Sequence, residues 1–232
     1  MNVAVMSAFR NSAGFHIHRY FVRMARFQDA LAREGHTLHL KLVWGDSDDG
    51  TQTELFNCAS ALNPATFELI ERSHGGPVYG STEEMARLRA LSMVANGAFE
   101  SIGPEIDVAI WIESDLLWDA QTFLRLIKRL SVEDVDVVAP LVFAGEAFYD
   151  IWGFRDRTDE RYGPFFPFNK ELQHVGPVLT EVNSVGSCLV MRGEVARECR
   201  IRNDYALVGF CLDARAHNFH VWVDPHERIH HP

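Results

Sequence analysis

Val108-Ala109-Ile110-Trp111-Ile112-Glu113-Ser114-Asp115 is five apolar residues followed by an acid, a serine and a second acid. A run that is apolar at every position, rather than at alternate ones, is how a strand reads when both of its faces are covered. That is the situation of a central strand in a parallel sheet with helices on either side. Asp119 follows as an N-cap for a helix over Ala120 to Leu130, so the triplet sits in a strand-to-helix connection.

Working upstream, Val3 to Met6 predicts a short strand that breaks at the polar segment Ser7 to Gly14 and leads into an amphipathic helix from about His18 to Glu34. Gly35 stops that helix, and Leu38 to Trp44 predicts a second strand ending in Gly45-Asp46-Ser47-Asp48-Asp49-Gly50. A helix from Asp49 or Thr51, a strand over Phe67 to Arg72, the loop His74-Gly75-Gly76-Pro77 and a long helix over Thr82 to Ile102, capped by Ser81 or Thr82, complete this half. Downstream, Asp136 to Val142 reads as a strand, and Phe143 to Phe168 is an aromatic and charged stretch with little periodicity. A strand over Ser187 to Met191, a helix over Leu207 to His217, a last strand Val221-Trp222-Val223 and a tail from Asp224 to Pro232 follow. Strands alternating with helices give an α/β protein with a mostly parallel central sheet and helices on both faces.

The 232 residues, 47% of them hydrophobic, suffice for one large core, so residues 1–232 are expected to form a single domain. A formal charge of −10 argues against a general electrostatic grip on nucleic acid or on an anionic membrane, both of which need a basic surface. Cys58, Cys188, Cys199 and Cys211 are far apart and form no CxxC pair, which suits reduced, mostly buried thiols. The N-terminal Met-Asn-Val-Ala-Val-Met has no basic region followed by an apolar one, and no stretch approaches the length of a membrane span, so the expected location is cytoplasmic.

Ligands of open α/β sheets bind beyond the carboxyl ends of the strands, and three such ends here carry Ser7 to Ser12, Gly45 to Gly50 and Glu113 to Asp115. Side chains alternate along a strand, so Glu113 and Asp115 point to one side. Two neighbouring carboxylates suit Mg²⁺ or Mn²⁺, which takes few protein oxygens and shares its other positions with water and substrate phosphate. The alternative is that both acids merely end a strand and help to start the next helix.

Several segments, in order, resemble the fungal Golgi mannan-polymerase mannosyltransferases and related GT-A enzymes. They are Met6 to Phe21, then Gly45-Asp46-Ser47-Asp48-Asp49-Gly50-Thr51, then Arg87, Arg89 and Asn96, then Glu113-Ser114-Asp115, then Val137-Val138-Ala139-Pro140. Val185 to Arg192 is similar to the strand that lines the sugar pocket, and Val208-Gly209-Phe210 to Pro225 to the helix-strand unit before a terminal histidine. Two positions depart from the family pattern: Ala95 stands where an arginine would precede Asn96, and Glu113 replaces the usual first aspartate.

The resemblance implies a GT-A type, Rossmann-like sandwich with a nucleotide-binding half (1–115) and a donor-sugar and acceptor half (116–232). It also implies transfer of a hexose from a GDP- or UDP-sugar to an acceptor hydroxyl with the help of Mn²⁺ or Mg²⁺. By analogy Ser7, Ala8, Phe9, Arg10, Asp46 and Asp48 would bind the nucleoside, Ser114 would join the donor-binding residues, and a guanidinium of Arg87 or Arg89 would reach phosphate or orient an acidic loop, the alternative for one of the two being surface charge. Glu113, Asp115 and a histidine of the last segment, His230 among His226, His230 and His231, would hold the metal; the alternative for each histidine is a solvated tail. Asp150, Trp152 and Arg155 in the aromatic stretch, with Gly186 and Ser187, would meet the donor sugar or acceptor.

Asp115 and Asp213 are the catalytic candidates. Many inverting GT-A enzymes open the penultimate helix with a Glu-Asp pair, and here that position reads Ala206-Leu207, with Asp204 and Asp213 nearby at other spacings. The mannosyltransferase resemblance therefore favours retention. The acceptor stays open among a glycan, a protein, a lipid-linked sugar and a modified nucleic acid, as does the oligomeric state. The rivals are a sugar nucleotidyltransferase, which would normally carry a Gly-rich basic loop after the first strand, and a non-catalytic nucleotide- or carbohydrate-binding module on the same fold.

Overall fold

The apolar run forms β4 (Val108–Ile112), every residue of it buried, and its side chains divide between two separate cores. Ala109 and Trp111 face one and Val108, Ile110 and Ile112 the other, as the two-residue period of a strand requires. In the computed structural model of the chain, residues 1–80, 83–132, 135–165, 168, 179–202 and 205–232 are described.

Around β4 the order of elements is β1 (Asn2–Phe9), α1 (Phe15–Arg33), β2 (Thr37–Trp44), α2 (Thr51–Leu62), β3 (Thr66–Glu71) and α3 (Met85–Phe99) before it. After it come α4 (Ala120–Arg129), β5 (Val137–Ala144), β6 (Ala147–Phe148), β7 (Thr180–Glu181), β8 (Cys188–Arg192), α5 (Gly193–Glu198), α6 (Ala206–Ala216) and β9 (Val221–His230). One nine-stranded sheet runs β3-β2-β1-β4-β8-β5-β9-β7, with β6 paired to β5. Strands β3, β2, β1, β4, β5 and β9 point the same way, while β8, β7 and β6 run against them. The sheet is therefore mostly parallel.

Helices α1, α2 and α4 cover one face, where Phe27, Trp118 and Phe123 meet edge to face. Helices α3, α5 and α6 cover the other, where the Phe99 and Phe210 rings stack with centroids 4.4 Å apart. Such a ring pair adds about 1 kcal/mol to the area it buries. The cap expected at Asp119 forms, its carboxylate accepting from Gln121 N at 2.7 Å. Cys188, Cys199 and Cys211 are buried free thiols and Cys58 is a half-buried one.

Several boundaries differ from those expected, two of them at the site. β1 does not break at Ser7 but runs on to Phe9, because the buried Ser7 hydroxyl is satisfied, donating to Ile112 O at 2.7 Å and sharing a hydrogen bond with Tyr20 Oη. The segment after Val223 is not a solvated tail: β9 continues to His230 and pairs with β5. The long helix is shorter than the expected Thr82 to Ile102: it runs Met85–Phe99 with the extended Glu84, not Ser81 or Thr82, at its N-cap, and Ser81, Thr82 and Asp204 themselves lie outside the described residues. No described helix is long and apolar enough to cross a membrane.

Candidate active site

Antiparallel β8 lies against β4, and the pairing reaches one step past the strand, Glu113 N donating to Ser187 O at 3.1 Å. That step fixes the first acid of the triplet beside Ser187. On the far side of the triplet, Leu117 and His230 exchange both backbone hydrogen bonds, at 2.7 and 2.8 Å, so the end of β9 is zipped to the connection after Asp115. His231, the next residue, donates its backbone N–H to Phe143 O at 2.7 Å and brings Nε2 to 3.3 Å from Asp115 Oδ2. The Tyr149 ring stacks on the His231 imidazole, centroids 4.1 Å apart and planes 19° from parallel, which fixes the orientation of the histidine.

Two cavities open on either side of this strand end. The one reached by Asp115 measures about 490 Å³ and is walled by Ala8, Phe9 and Arg10 of β1 and its loop, Asp46, Arg72, His74 and Tyr79, and by α3 through Arg87, Leu91 and Val94. The one reached by Glu113 measures about 320 Å³ and is walled by Asp150, Trp152, Gly186 and Ser187, by Glu83, Arg87 and Leu91, and by Ala206 and Leu207. Arg87 and Leu91 border both. The first cavity carries three arginines with Asp46 and Asp115, and the second carries Glu113, Asp150 and Arg87, with Glu83 at its wall paired to Arg161 at 3.0 Å.

The acids of the smaller cavity are forced together. Asp150 is 8% exposed, and its carboxyl group takes hydrogen bonds from the Ser187 hydroxyl and Gly153 N–H, yet Oδ2 has no hydrogen-bond partner among the described residues. Burial pushes its pKa up to about 7. Glu113 is pushed up to about 8, first by lost hydration and then by the charges of Asp150 and Asp115, against the opposing pull of Arg87 and the Ser187 hydroxyl. Gly186 is required here, since a Cβ would stand 2.3 Å from Asp150 Oδ1.

No protein-family model matches the sequence, and no curated protein matches it. Solved structures do match in shape. A mannosyltransferase of Pyrobaculum calidifontis, PcManGT, solved with GDP-Man and Mn²⁺, aligns over 98% of this chain at a TM-score of 0.64 and 15% identity. TarS residues 1–349 of S. aureus, solved with UDP-GlcNAc, align over 99% at a TM-score of 0.60 and 13% identity. The chain has the GT-A fold. It spans a little over half of these structures, 56% and 58% of their chains. At such identities the likeness shows the GT-A fold alone, and neither structure is a fungal mannan-polymerase enzyme.

Within the GT-A frame the expected residues divide, and Glu113 and Asp115, expected on one side as a pair, line different cavities. Ala8, Phe9, Arg10, Asp46, Arg87 and Asp115 line the larger cavity, and Arg87, Glu113, Asp150, Trp152, Gly186 and Ser187 the smaller. Ser7 is buried in β1 and engaged with Tyr20 and Ile112, away from both. Arg10 donates to Pro77 O and Gly76 O, and Asp46 accepts from His74 N at 2.8 Å and Gly75 N at 3.1 Å, so both hold the loop 74–77 in place. The His74 backbone N–H, first among several donors and charges, keeps the Asp46 carboxyl below its ordinary range. Asp48 and Arg89 are exposed and Ser114 half-buried, and none of the three lines either cavity.

Arg155 pairs with Asp159 at 3.4 Å and bridges to Ser184 in backbone pairing, outside both cavities. Asp213 is 7% exposed but pairs with Arg202 Nε at 2.8 Å and accepts from Arg200 N, so it is spent in joining α6 to the preceding loop. His230 is exposed, its ring 6.4 Å from that of Phe143, and His231 takes the place expected for it beside Asp115. Arg72 and His74 were not expected at the site, and Tyr149, in the stretch expected to meet the sugar, was not expected to stack on His231. His74 was legible in principle, because its loop follows the carboxyl end of β3 as the acidic loop follows β2.

Proposed function

We propose that the protein is a metal-assisted glycosyltransferase that takes a nucleotide-sugar donor, with the diphosphate beside Arg87, the nucleoside in the Arg10–His74 cavity and the sugar in the Glu113–Asp150 cavity. The observation that carries this is the pair of cavities meeting at Glu113 and Asp115, one basic and one acidic, on a GT-A sheet. A diphosphate suits the basic cavity, where guanidinium groups match phosphate oxygens. A polyhydroxy ring suits a cavity with aromatic Trp152 and buried acceptors. The larger cavity is built chiefly from residues 1–115, and most of the groups around Asp150 come from 116–232, which supports the division into a nucleotide half and a sugar half.

Asp115 Oδ2 and His231 Nε2 fit a divalent cation: a carboxylate and an imidazole, 3.3 Å apart at the edge of the basic cavity, suit Mn²⁺ or Mg²⁺ that completes its coordination with phosphate and water. Bound there, the ion would supply positive charge to the leaving nucleoside diphosphate. The chain's own contribution is positional: Tyr149 and the Leu117–His230 pairing hold His231, Arg87 holds negative charge between the cavities, and Ser187 orients both carboxyl groups of the sugar side. Ala206 and Leu207 line the sugar cavity where an acid would serve inversion, and Asp213 is paired elsewhere, which supports retention. The ordered residue matches to the mannan-polymerase pattern support a GDP- or UDP-linked hexose as the donor.

A thermal-shift panel of UDP- and GDP-sugars with and without Mn²⁺ tests this. A donor at a hundredfold excess over its Kd stabilises by about 2.7 kcal/mol, and in a chain of this size each kcal/mol raises Tm by about 2–4 °C. The expected result is a shift that needs Mn²⁺ and is lost in Asp115→Ala. Absence of any donor-dependent shift, or an equal shift in the variant, contradicts the proposal.

A further inference from the structure

We infer that the outer face of α1 docks on an anionic lipid surface, an interaction independent of the nucleotide-sugar reading.

Phe15, Arg19, Val22 and Arg26 follow one another at i, i+4, i+7 and i+11, the spacing of a single stripe along a helix, and Arg23 lies beside it. The opposite side of α1 is taken up by the core, through Ile17, Tyr20, Met24 and Phe27. On the stripe Phe15 is 71% exposed and Val22 53%. Arg19 Cζ lies 5.3 Å from the centroid of the Phe15 ring, so the first cation and the aromatic side chain are presented together. In all, α1 carries four arginines against one acid, Asp29, in a chain whose formal charge is −10. Arg33 sits in the last turn, where the helix dipole accounts for it; Arg19, Arg23 and Arg26 have no such partner in the helix end.

The neighbouring α4 shows the contrast: its Arg125, Lys128 and Arg129 are paired with Glu227, Glu34 and Asp224. Arg19, Arg23 and Arg26 form no ion pair among the described residues; Arg19 donates to Asp115 O at 3.1 Å and Arg23 to Arg19 O at 3.1 Å. Lost hydration first, and then the charges of Arg19 and Arg26, hold the Arg23 guanidinium below its ordinary value. An anionic surface relieves this crowding, each basic side chain near it strengthening binding by about fivefold. Phosphate alone would leave Phe15 and Val22 in water, whereas the interface of a bilayer takes up apolar side chains beside arginines. A groove of about 500 Å³ between α1 and α2, with Val22, Ala25 and Leu62 in its wall, adjoins the stripe and adds apolar surface. The net charge opposes a general attraction to such a surface but allows an oriented one, since exposed charges more than about 10 Å away are largely screened. Through Arg19 the docked face begins beside Asp115.

The test is co-sedimentation of the full chain, without nucleotide, with vesicles of phosphatidylcholine alone and of phosphatidylcholine and phosphatidylglycerol in equal parts. Binding is expected to the mixed vesicles only, and is expected to fade as NaCl rises from about 0.1 M to about 1 M, where the Debye length falls from about 10 Å to about 3 Å. Arg23→Gln/Arg26→Gln is expected to bind about tenfold or more weaker, and Phe15→Ser about fivefold or more weaker. Arg157→Gln, whose cation is paired with Glu181 on the edge strand β7, is expected to bind as the wild type does. No binding to the mixed vesicles, equal binding to the neutral ones, or binding that survives the loss of both arginines overturns the inference. So does arginine-dependent binding that Phe15→Ser leaves intact and that a short duplex DNA matches, which would make the face a site for soluble polyanions.

Discussion

His230 and His231 are neighbours in sequence whose chemistry is separated by the alternation of a strand end. His230 contributes its backbone to the pairing with Leu117, and His231 contributes its ring to Asp115. No composition or spacing argument distinguishes the two histidines; only the register of β9 does. His231→Ala is expected to weaken Mn²⁺-dependent nucleotide binding by about tenfold or more, while His230→Ala leaves it unchanged, as measured by titration of UDP or GDP. Gly186 makes a second prediction at this scale. In Gly186→Ala the new Cβ must displace the Asp150 carboxyl group, 2.3 Å away, and the crowding is expected to cost about 1–3 kcal/mol in denaturant unfolding. A variant as stable as the wild type would mean that Asp150 is free to move.

At the scale of elements, β4 was legible because its apolar run has one structural meaning, whereas β9 was not. Val221-Trp222-Val223 reads as a strand, but the pairing then slips: Pro140 faces Asp224, and Leu141 faces Arg228. Pro225, His226 and Glu227 lie in the irregularity, and this break in the two-residue period is what makes the segment look like a tail. Charged residues at the edge of the bulge and within it are anchored by α4: Asp224, 1% exposed, pairs with Arg129 at 2.8 Å, and the buried Glu227 takes Arg125. Arg129→Ala leaves Asp224 without its cation, and a loss of about 2 kcal/mol, discounted because the arginine is partly exposed, is expected in chemical denaturation. The acidic loop after β2 shows the converse: its place at a strand end was legible, but its carboxylates are engaged largely in holding other loops. Asp46 binds the 74–77 loop, and Asp49 accepts from Ala13 N at 2.9 Å. Sequence places an acid at a strand end without saying whether backbone N–H groups or a ligand will use it.

At the scale of the molecule, two apolar cores lie on opposite faces of one sheet, and β1, β4 and β8 contribute to both. Neither core persists without those strands, so heat or denaturant is expected to unfold the chain in one transition, with far-UV ellipticity and tryptophan fluorescence coinciding. Two separated transitions would instead assign the nucleotide and sugar halves to independent units. The α/β layering and the convergence of three strand ends followed from alternating elements and from β4. The antiparallel insertion of β8 beside β4, which places Ser187 and Gly186 next to Glu113, did not, because strand neighbours far apart in sequence leave no local periodic signature. That insertion supplies Gly186 and Ser187 to the wall of the Glu113 cavity, and the proposed function depends on that cavity and its neighbour at Asp115. Its most direct test is titration of UDP and GDP into the wild type with Mn²⁺ or with EDTA, repeated on Asp115→Ala. At least one nucleotide is expected to bind about tenfold or more tightly with Mn²⁺ in the wild type, with the difference gone in the variant. Binding that ignores the metal, or a metal effect that survives the loss of Asp115, would contradict it.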